Sequence, residues 1–309
     1  MSSFKNNFSQ PQKPGLPQVV GIDYGTINSS VCFVKTNTDT AFLSDGGRKA
    51  FPSIVYVPEN HRLGYLFCQQ AELKVMNVLS QVKRLTGMKF DHPDVQELIR
   101  RNHFCAFKIV PDHDNWVMLE FTERGKTVRK YPWEISAMVL KHLHDMLCKH
   151  LNIPDLATKI PAVISVPAYF THAQRGETMK AGTAAGFEVI TLVNEPMAAA
   201  IQAVSGRNEG KERILVFDFG GGTLDVTVVD VETAKEGKKL WVLATHSNTL
   251  LGGVDFDRVV ADLLMRKVND LFAGDGNAED EECAETDPRV HAHTQLLLRQ
   301  EARRLKETF

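Results

Sequence analysis

Two segments of the chain repeat one pattern of apolar and polar positions. Each has an apolar run, an aspartate, a glycine turn with a threonine, and a second apolar run. The first reads VVGIDYGTINSSVCFV from Val19, and the second reads ILVFDFGGGTLDVTVV from Ile214. Short apolar runs on either side of a glycine turn are typical of buried strands. The repeat therefore predicts two similar lobes, each with one strand–turn–strand unit.

Between the two copies, the spacing of apolar residues predicts alternating strands and helices. Apolar side chains recur at helical spacing from Trp133 to Leu151, and Pro154 ends this pattern. A β-branched run, a helical stretch and a second β-branched run then form a strand–helix–strand unit. The predicted strands are 54–57, 162–166 and 189–193, and the predicted helices are 73–85, 133–151 and 173–185, with an alanine-rich helix beginning at Pro196.

Composition predicts where the lobes begin and end. Residues 1–17 are rich in Ser, Asn, Gln and Pro, which predicts a disordered tail. A polar, glycine-punctuated stretch from Ser205 predicts a hinge. We therefore expect lobe I at 18–205, with an inserted subdomain at about 51–132, and lobe II at 206–309. An acidic loop is expected at 273–288, and lobe II is expected to be incomplete because the chain ends inside a helical pattern.

Charge and composition argue against several classes of function. A formal net charge of −2 gives no general attraction to nucleic acid or to an acidic membrane. No segment resembles a signal peptide or a membrane span, so we expect a cytoplasmic location. The five cysteines have no CxxC spacing, which argues against a zinc site. His142 and His144 would diverge on a helix, so a packed or solvated role is favoured over metal binding.

The glycine turns suit phosphate. A phosphate approaches the backbone closely only where side chains are absent, and successive amide groups in such a turn form an anion-binding concavity. Gly220, Gly221 and Gly222 provide this in the second copy, and Gly25 with Thr26 provides it in the first. Neither turn matches GxxxxGK[ST], so a P-loop is excluded, and the absence of GxGxxG weakens a dinucleotide site.

The aspartates beside these turns suit a metal ion. Asp23, Asp218 and Asp225 would repel phosphates unless a hard cation such as Mg²⁺ lies between them. Glycine turns and carboxylates together therefore predict a site for a metal–nucleotide complex.

Five motifs resemble, in order, the signatures of one known family. They read GIDYGT, VISVPAYFTHAQR, AGFEVITLVNEPMAAAI, VFDFGGGTLDVTVV and LLGGVDFD. The chain is thus similar to the nucleotide-binding domain of the 70-kDa heat-shock (DnaK-type) chaperones from about Val19 to its last residue. The resemblance implies an α/β fold of the actin-like, ribonuclease H-like ATPase type, with two duplicated lobes around a nucleotide cleft.

The resemblance also implies roles for individual residues. Asp23 and Asp218 would hold the water shell of Mg²⁺, with Asp225 beside K⁺ or the attacking water. The implied catalytic set is Asp23, Glu195, Asp218, Asp225 and Thr223. The implied nucleotide-binding set for ATP or ADP is Gly25, Thr26, Ile27, Gly220, Gly221, Gly222, Thr223, Gly252, Gly253 and Lys306. Pro167 and Arg175 resemble residues that couple the lobes to a substrate-binding domain; a strand terminator and a surface helix residue are the alternatives.

The first phosphate turn and the catalytic lysine depart from the family. Ile27 and Asn28 stand where the family has a threonine and an aromatic residue, which predicts weaker phosphate contacts. An ungapped match places Cys68 where the family has a lysine near the transferring phosphate, and Lys74 fits only if the alignment shifts. Losing such a charge lowers a rate by about 10²–10³ while binding can survive. We therefore expect ATP binding with slow or absent hydrolysis.

The adenine side also departs from the family. The positions that would read the base become Arg303, Lys306 and Glu307, of which only Lys306 fits.

Three functions remain open. The first is the ATP-binding domain of a cytosolic chaperone that acts in protein folding with a J-domain protein, a nucleotide exchange factor and unfolded clients bound by a downstream domain. The second is a non-catalytic subunit that activates a partner chaperone, as in ribosome-associated members of the family; Cys68, Ile27 and Asn28 favour it. The third is a small-molecule kinase of the same fold, against which VISVPAYF and NEPMAAA argue.

Overall fold

A computed structural model describes residues 19–36, 39–57, 78–101, 107–153, 157–234 and 237–273, together with residue 302. Several predictions lie outside the described residues. These are the disordered tail, the part of the acidic loop after residue 273, and the assignments of Cys68, Lys74, Arg303, Lys306 and Glu307.

The described chain alternates strands and helices. The strands are β1 Val20–Tyr24, β2 Asn28–Thr36, β3 Asp39–Phe42, β4 Phe51–Pro52, β5 Val55–Tyr56, β6 Val78–Leu79, β7 Lys108–Pro111, β8 Val117–Glu123, β9 Lys126–Lys130, β10 Ile160–Val166, β11 Phe187–Asn194, β12 Gly210–Phe219, β13 Leu224–Ala234 and β14 Gly237–Asn248. The α-helices are α1 Pro93–Arg100, α2 Pro132–His150, α3 His172–Ala184, α4 Glu195–Ala203 and α5 Gly253–Ala273, and a 3₁₀ helix covers Val82–Leu85.

The first copy of the repeat lies in a six-stranded sheet. Its order is β11-β10-β1-β2-β3, and β4 pairs with β2. Strands β1 and β2 form the predicted hairpin, while β10 is parallel to both β1 and β11. Helix α3 connects β10 to β11, so the strand–helix–strand prediction is confirmed. A Cβ on Gly182 would meet Ile164 at 2.7 Å, so this glycine lets α3 pack closely on the sheet.

The second copy lies in a three-stranded antiparallel sheet ordered β12-β13-β14. Helix α4 covers one face, where Ala200, Val204, Val229 and Val231 form a small buried core. In the β12–β13 hairpin, Asp218 is directly opposite Asp225. Two smaller sheets, β5-β6 and β7-β8-β9, complete the described strands.

Two predicted elements need correction. The helix predicted at 73–85 is wrong for residues 78–85, which form β6 and the 3₁₀ helix, because Gln81 has a left-handed backbone with φ of 57°. The hinge predicted from Ser205 is shorter than expected. Residues 210–213 already belong to β12, where pairing with β13 overrides their polar, glycine-containing composition.

The histidine pair on α2 has no metal-binding geometry. His144 is fully buried, its Nε2 lies 3.0 Å from the carbonyl oxygen of Thr158, and its ring meets Phe187 edge-on. Within the described ranges, no three His, Cys, Asp or Glu side chains are grouped to hold a metal directly. The same ranges contain no helix whose length and apolar character would let it cross a membrane.

Tyr24 ties the first glycine turn to α2. It is buried at the end of β1, and its hydroxyl donates a 2.8 Å hydrogen bond to Ser136 Oγ. The Ser136 hydroxyl in turn donates to the carbonyl oxygen of Pro132 at 3.1 Å. The orientation of β1 at the turn is therefore fixed by a buried polar contact with the helix behind it.

Replacing Tyr24 by Phe should lower the free energy of unfolding by about 1 kcal/mol near neutral pH, because the bond to Ser136 is lost. Burial raises the pKa of Tyr24 from 10.0 to about 12. The stabilising contribution of Tyr24 is therefore complete below pH 10 and declines as the pH rises towards 12. Urea unfolding of both proteins should show their stability difference narrowing over this interval. A difference in the free energy of unfolding that stayed constant from pH 10 to pH 12 would contradict the raised pKa of the buried Tyr24 hydroxyl.

Candidate functional site

The two glycine turns border one cavity of about 840 Å³. Asp23 and Gly25 reach it from the end of β1, and Asp218 and Gly220 reach it from the end of β12. Its volume lies in the range of small-molecule sites in proteins. The hairpins of the two sheets thus present their aspartates and glycines to the same space.

The turns also contact each other. A Cβ on Gly222 would lie 2.8 Å from Thr26 Cγ2, and a Cβ on Gly221 would overlap Ile27. A Cβ on Gly252 would lie 2.5 Å from the backbone of Gly222. Three glycines of this region are therefore required by close packing, whatever ligand they meet.

The start of α5 holds the second turn from the other side. The amide of Gly253 donates to the carbonyl oxygen of Gly220 at 3.0 Å, and the amide of Val254 donates to that of Gly221 at 2.9 Å. This explains why the LLGGVDFD motif and the GGGT turn belong to one site although about 30 residues separate them.

Most of the predicted site residues that the structure describes line the cavity, and Gly222, Gly252 and Asp225 lie beside it. The described residues that line the cavity include Asp23, Gly25, Thr26, Ile27, Glu195, Asp218, Gly220, Gly221, Thr223 and Gly253. Gly222 and Gly252 pack against each other in the turn region. Asp225 is 2% exposed, and it accepts hydrogen bonds from the hydroxyls of Thr223 and Ser247. Asp225 therefore lies behind Thr223, which itself faces the cavity.

The carboxylates create a negative site. Asp23 accepts a 3.0 Å hydrogen bond from the Ser165 hydroxyl. Burial raises the pKa of Asp218, and the nearby charges of Asp225 and Asp23 raise it further. A cation placed between these groups would relieve that repulsion. The residues present thus fit a divalent cation.

The donor set favours a hydrated Mg²⁺. Asp23 and Asp218 line the cavity from opposite sheets, and the described residues contain no group of three His, Cys, Asp or Glu side chains placed to hold a metal directly. Magnesium characteristically keeps several waters and uses one or two carboxylates together with substrate phosphates. Asp23 and Asp218 are therefore suited to hold Mg²⁺ through the water molecules bound to it.

Glu195 forms a buried ion pair that the sequence did not predict. Its Oε1 lies 2.7 Å from Lys83 Nζ, and the side chains are 16% and 8% exposed, respectively. Burial raises the pKa of Glu195, and the charge of Lys83 opposes that rise. Lys83 was visible in the KRL motif, but no local pattern indicated that it would reach a glutamate 112 residues away.

Arg175 connects the ends of two strands. It donates to the carbonyl oxygens of Phe170 at 3.0 Å and Ala168 at 3.2 Å, in the loop after β10. It also donates to Asn194 Oδ1 at 2.8 Å, directly before Glu195. Arg175 is therefore more than a surface helix residue. Pro167, whose carbonyl oxygen lies 3.4 Å from Arg175 Nη2, follows the last residue of β10 and also ends that strand.

A charge cluster links the region after β6 to the start of α5. Asp255 pairs with Arg84 at 3.4 Å and with Arg101 at 3.5 Å. Thr249 also donates to Asp94 Oδ2 at 2.6 Å. These contacts lie beside the second glycine turn, because Gly252, whose amide donates to Asp255 at 2.9 Å, packs against Gly222. The two halves of the cavity are thus held together by ionic contacts as well as by the glycine packing.

Comparison with known proteins places the chain among heat-shock proteins. The family model described as Hsp70 protein matches residues 19–285. The chaperone protein DnaK of Thermus thermophilus is 38% identical over 251 residues, which cover 81% of this chain and 38% of that protein. The chloroplastic stromal 70 kDa heat shock-related protein of Pisum sativum is 39% identical over 250 residues, covering 80% of this chain and 33% of that protein. The matched region thus spans between a third and two fifths of these relatives.

Because the two turns contact each other, a methyl group added to Gly221 should affect stability differently from one added to Gly176, which lies on α3. Gly221→Ala places a methyl group against Ile27, whereas Gly176→Ala on α3 meets nothing within 4 Å. We expect Gly221→Ala to lower the free energy of unfolding by about 1–3 kcal/mol through overpacking. Gly176→Ala should raise it by up to about 1 kcal/mol through helix propensity.

Urea unfolding of both variants measures the difference. Adding Ile27→Ala to Gly221→Ala should recover part of the lost stability. Equal effects of the two glycine substitutions would contradict the packing of one turn against the other.

Proposed function

Because the chain belongs to the Hsp70 protein family, we propose that it is the ATP-binding domain of an Hsp70-type chaperone, which binds Mg–ATP between its glycine turns and hydrolyses it slowly. The family and its α/β, actin-like ATPase fold are those that the motifs predicted. The observation that carries the proposal is the meeting of both turns and both aspartates on one cavity. We assign lobe I to residues 18–205, with an inserted subdomain at about 51–132, and lobe II to residues 206–309.

In this proposal the residues of the chain bind, orient and balance charge. Asp23 and Asp218 hold the water shell of Mg²⁺, and the hydroxyls of Thr26 and Thr223 lie where phosphate oxygens enter between the turns. Asp225 orients Thr223 through its hydrogen bond. Mg²⁺ neutralises charge on the phosphates when bound, which is its usual role in phosphoryl transfer.

Glu195 is suited to orient the water that attacks the terminal phosphate. It lines the cavity, and burial raises its pKa towards the range where a carboxylate acts as a proton acceptor. Lobe closure around the nucleotide would bring these groups together and exclude bulk water. K⁺ beside Asp225 and the adenine contact of Lys306 belong to the same proposal.

The partners and the location that we propose are those typical of the family. The proposed partners are a J-domain protein, a nucleotide exchange factor and unfolded clients held by a downstream domain. The proposed location is the cytoplasm. The coupling of nucleotide state to that domain is assigned to Pro167 and Arg175, since Arg175 joins the loop after Pro167 to the residue before Glu195.

One observation favours a second function, that of a regulatory subunit that holds ATP without turnover and activates a partner chaperone. Ile27 packs an aliphatic side chain against the phosphate turn at Gly221. A hydroxyl at that position would offer a phosphate a hydrogen bond, whereas Ile27 offers none. The first turn therefore holds phosphate with fewer contacts, which favours a subunit that holds ATP with slow or absent hydrolysis.

The dependence of ATP affinity on Mg²⁺ tests whether the aspartates of the cavity hold a metal ion. Isothermal titration of the chain with ATP should show tighter binding with Mg²⁺ than with EDTA. Asp218→Asn should reduce the metal-dependent gain by about 10–100-fold, as for other groups that hold a metal through its outer shell. Asp114→Asn, at a side chain that is 64% exposed and outside the cavity, is the control and should change nothing. ATP binding that ignores Mg²⁺ would contradict the assignment of the aspartates.

Single-turnover hydrolysis separates the two functions. ATP labelled at its terminal phosphate is mixed with excess protein, and release of labelled phosphate is followed. Slow release that Glu195→Gln abolishes supports the ATPase. Tight ATP binding with no release above the uncatalysed rate supports the regulatory subunit, and absence of ATP binding contradicts both.

A further inference from the structure

A second cavity, of about 410 Å³, adjoins the main one. Lys83 and Thr223 line both cavities, and of the described residues that line the main cavity these two and no others also line the second. Thr223 belongs to the second glycine turn, so the cavities meet at the end of the main cavity where the proposed function places phosphate. Liquid water occupies about 30 Å³ per molecule, so the second cavity has space for a hydrated oxyanion.

The lining of the second cavity changes from buried to exposed residues. Arg84 lies beside the second glycine turn, because a Cβ on Gly222 would lie 3.3 Å from its Cδ, and its side chain is 2% exposed. His92, before α1, and Ala173, on α3, also line this cavity and are exposed. The second cavity is therefore a passage from the phosphate end of the main cavity to the solvent.

The charge of this passage favours an anion. Its described lining contains the basic residues Lys83, Arg84 and Lys89, and one acidic residue, Asp94, which already accepts a 2.6 Å hydrogen bond from Thr249. The main cavity, by contrast, is lined by four acidic residues. A cleft whose walls carry one sign of charge attracts ions of the other sign. A phosphate that passes from the main cavity to the second one therefore moves towards positive charge.

Arg84 has a donor that the described structure leaves unused. Its Nη2 donates to the carbonyl oxygen of Thr249 at 3.2 Å, whereas its Nε is buried and has no hydrogen-bond partner among the described residues. Buried donors in proteins are nearly always paired, so an unpaired one requires an explanation. The planar guanidinium group matches the geometry of phosphate oxygens. Arg84 is therefore suited to bind a phosphate ion that passes through this cavity.

We propose that the second cavity is the exit path of inorganic phosphate, which leaves past Arg84 and Lys89 while ADP still occupies the main cavity. This inference rests on the proposed function, since the attack of water on ATP yields ADP and inorganic phosphate. ADP then lies between the phosphate and the rest of the main cavity. The second cavity gives the phosphate a way to the solvent that does not require ADP to leave first, so phosphate is released before ADP.

A removable plug tests the path. Ala173→Cys places a thiol at the exposed end of the second cavity, and Gly176→Cys places one on the same helix at a residue that lines neither cavity and has open space around it. Both variants are labelled with a bulky methanethiosulfonate reagent, and the parent chain is treated in the same way because it has five cysteines of its own. In single turnovers, acid quenching measures ATP cleavage, and a fluorescent phosphate sensor measures phosphate release.

We expect labelled Ala173→Cys to cleave ATP at the rate of the treated parent chain. Its phosphate release should lag behind cleavage by about tenfold or more, because the label raises the barrier to leaving without touching the reacting atoms. A reductant that removes the label should restore release. Labelled Gly176→Cys should match the treated parent in both measurements. Circular dichroism and thermal unfolding confirm that each variant is folded.

Two lysines provide a matched test of the charge. Lys89 Nζ lies 3.7 Å from the ring centroid of Trp116, and Lys180 Nζ lies 3.9 Å from that of Trp133, but only Lys89 lines the second cavity. Lys89→Glu should slow phosphate release by about tenfold at low ionic strength, and the effect should shrink in about 1 M salt. Lys180→Glu should leave release unchanged. A merely structural role of Lys89 would not give this dependence on salt.

The outcomes separate the exit path from the proposed function. Phosphate release that keeps pace with cleavage in labelled Ala173→Cys overturns the exit path and leaves ATP hydrolysis standing, as does release that waits for ADP to dissociate from the parent chain. If the label also slows cleavage, the comparison of Lys89→Glu with Lys180→Glu decides, and equal release from these two variants overturns the path. A parent chain that binds ATP without cleaving it overturns the ATPase and the exit path with it.

Discussion

The contact between the two glycine turns is the constraint on which the site depends. Gly221 packs against Ile27, and Gly222 packs against Thr26, at distances that leave no room for a Cβ. Each turn follows directly on a strand that ends near an aspartate, Asp23 on β1 and Asp218 on β12. Bringing the turns together therefore brings the two carboxylates to one cavity. The repeat in the sequence thus lets two separate sheets present equivalent edges to one cavity.

The carboxylates around the cavity concentrate negative charge there. Two basic residues of one short segment, residues 82–85, pair with two of the acidic residues of this region. Residues 82–85 form a 3₁₀ helix that supplies Lys83 to Glu195 and Arg84 to Asp255. The first pair lies on the cavity, and the second joins this segment to the start of α5. Burial lowers the pKa of Arg84, while Asp255 opposes that shift. Buried charges cost free energy unless they are paired, so both arginine and lysine constrain the relative position of the two sheets.

Local patterns predicted the two hairpins of the repeat, the strand–helix–strand unit and α2, but not the charge network. The hairpins, α2 and α3 follow from periodicity over 10–20 residues, which any isolated sequence window displays. Lys83–Glu195 and Arg84–Asp255 join residues 112 and 171 positions apart, so no local spacing could reveal them. The burial of Asp225 behind Thr223 was missed for the same reason, since it depends on Ser247 of the third strand. The helix prediction at 73–85 is wrong for residues 78–85, where Gln81 has a left-handed backbone that an α-helix cannot contain.

The contacts of Arg175 connect the loop after β10 to the residue before Glu195, which lines the cavity. Arg175 fixes Asn194, Asn194 precedes Glu195, and Glu195 anchors Lys83. Contiguous contacts alone do not transmit a signal, because coupling requires an element with two arrangements that a ligand can favour differently. Of the residues in this series, Lys83 and Glu195 are the ones that line the cavity, so their ion pair is the part of the series that a ligand could contact directly.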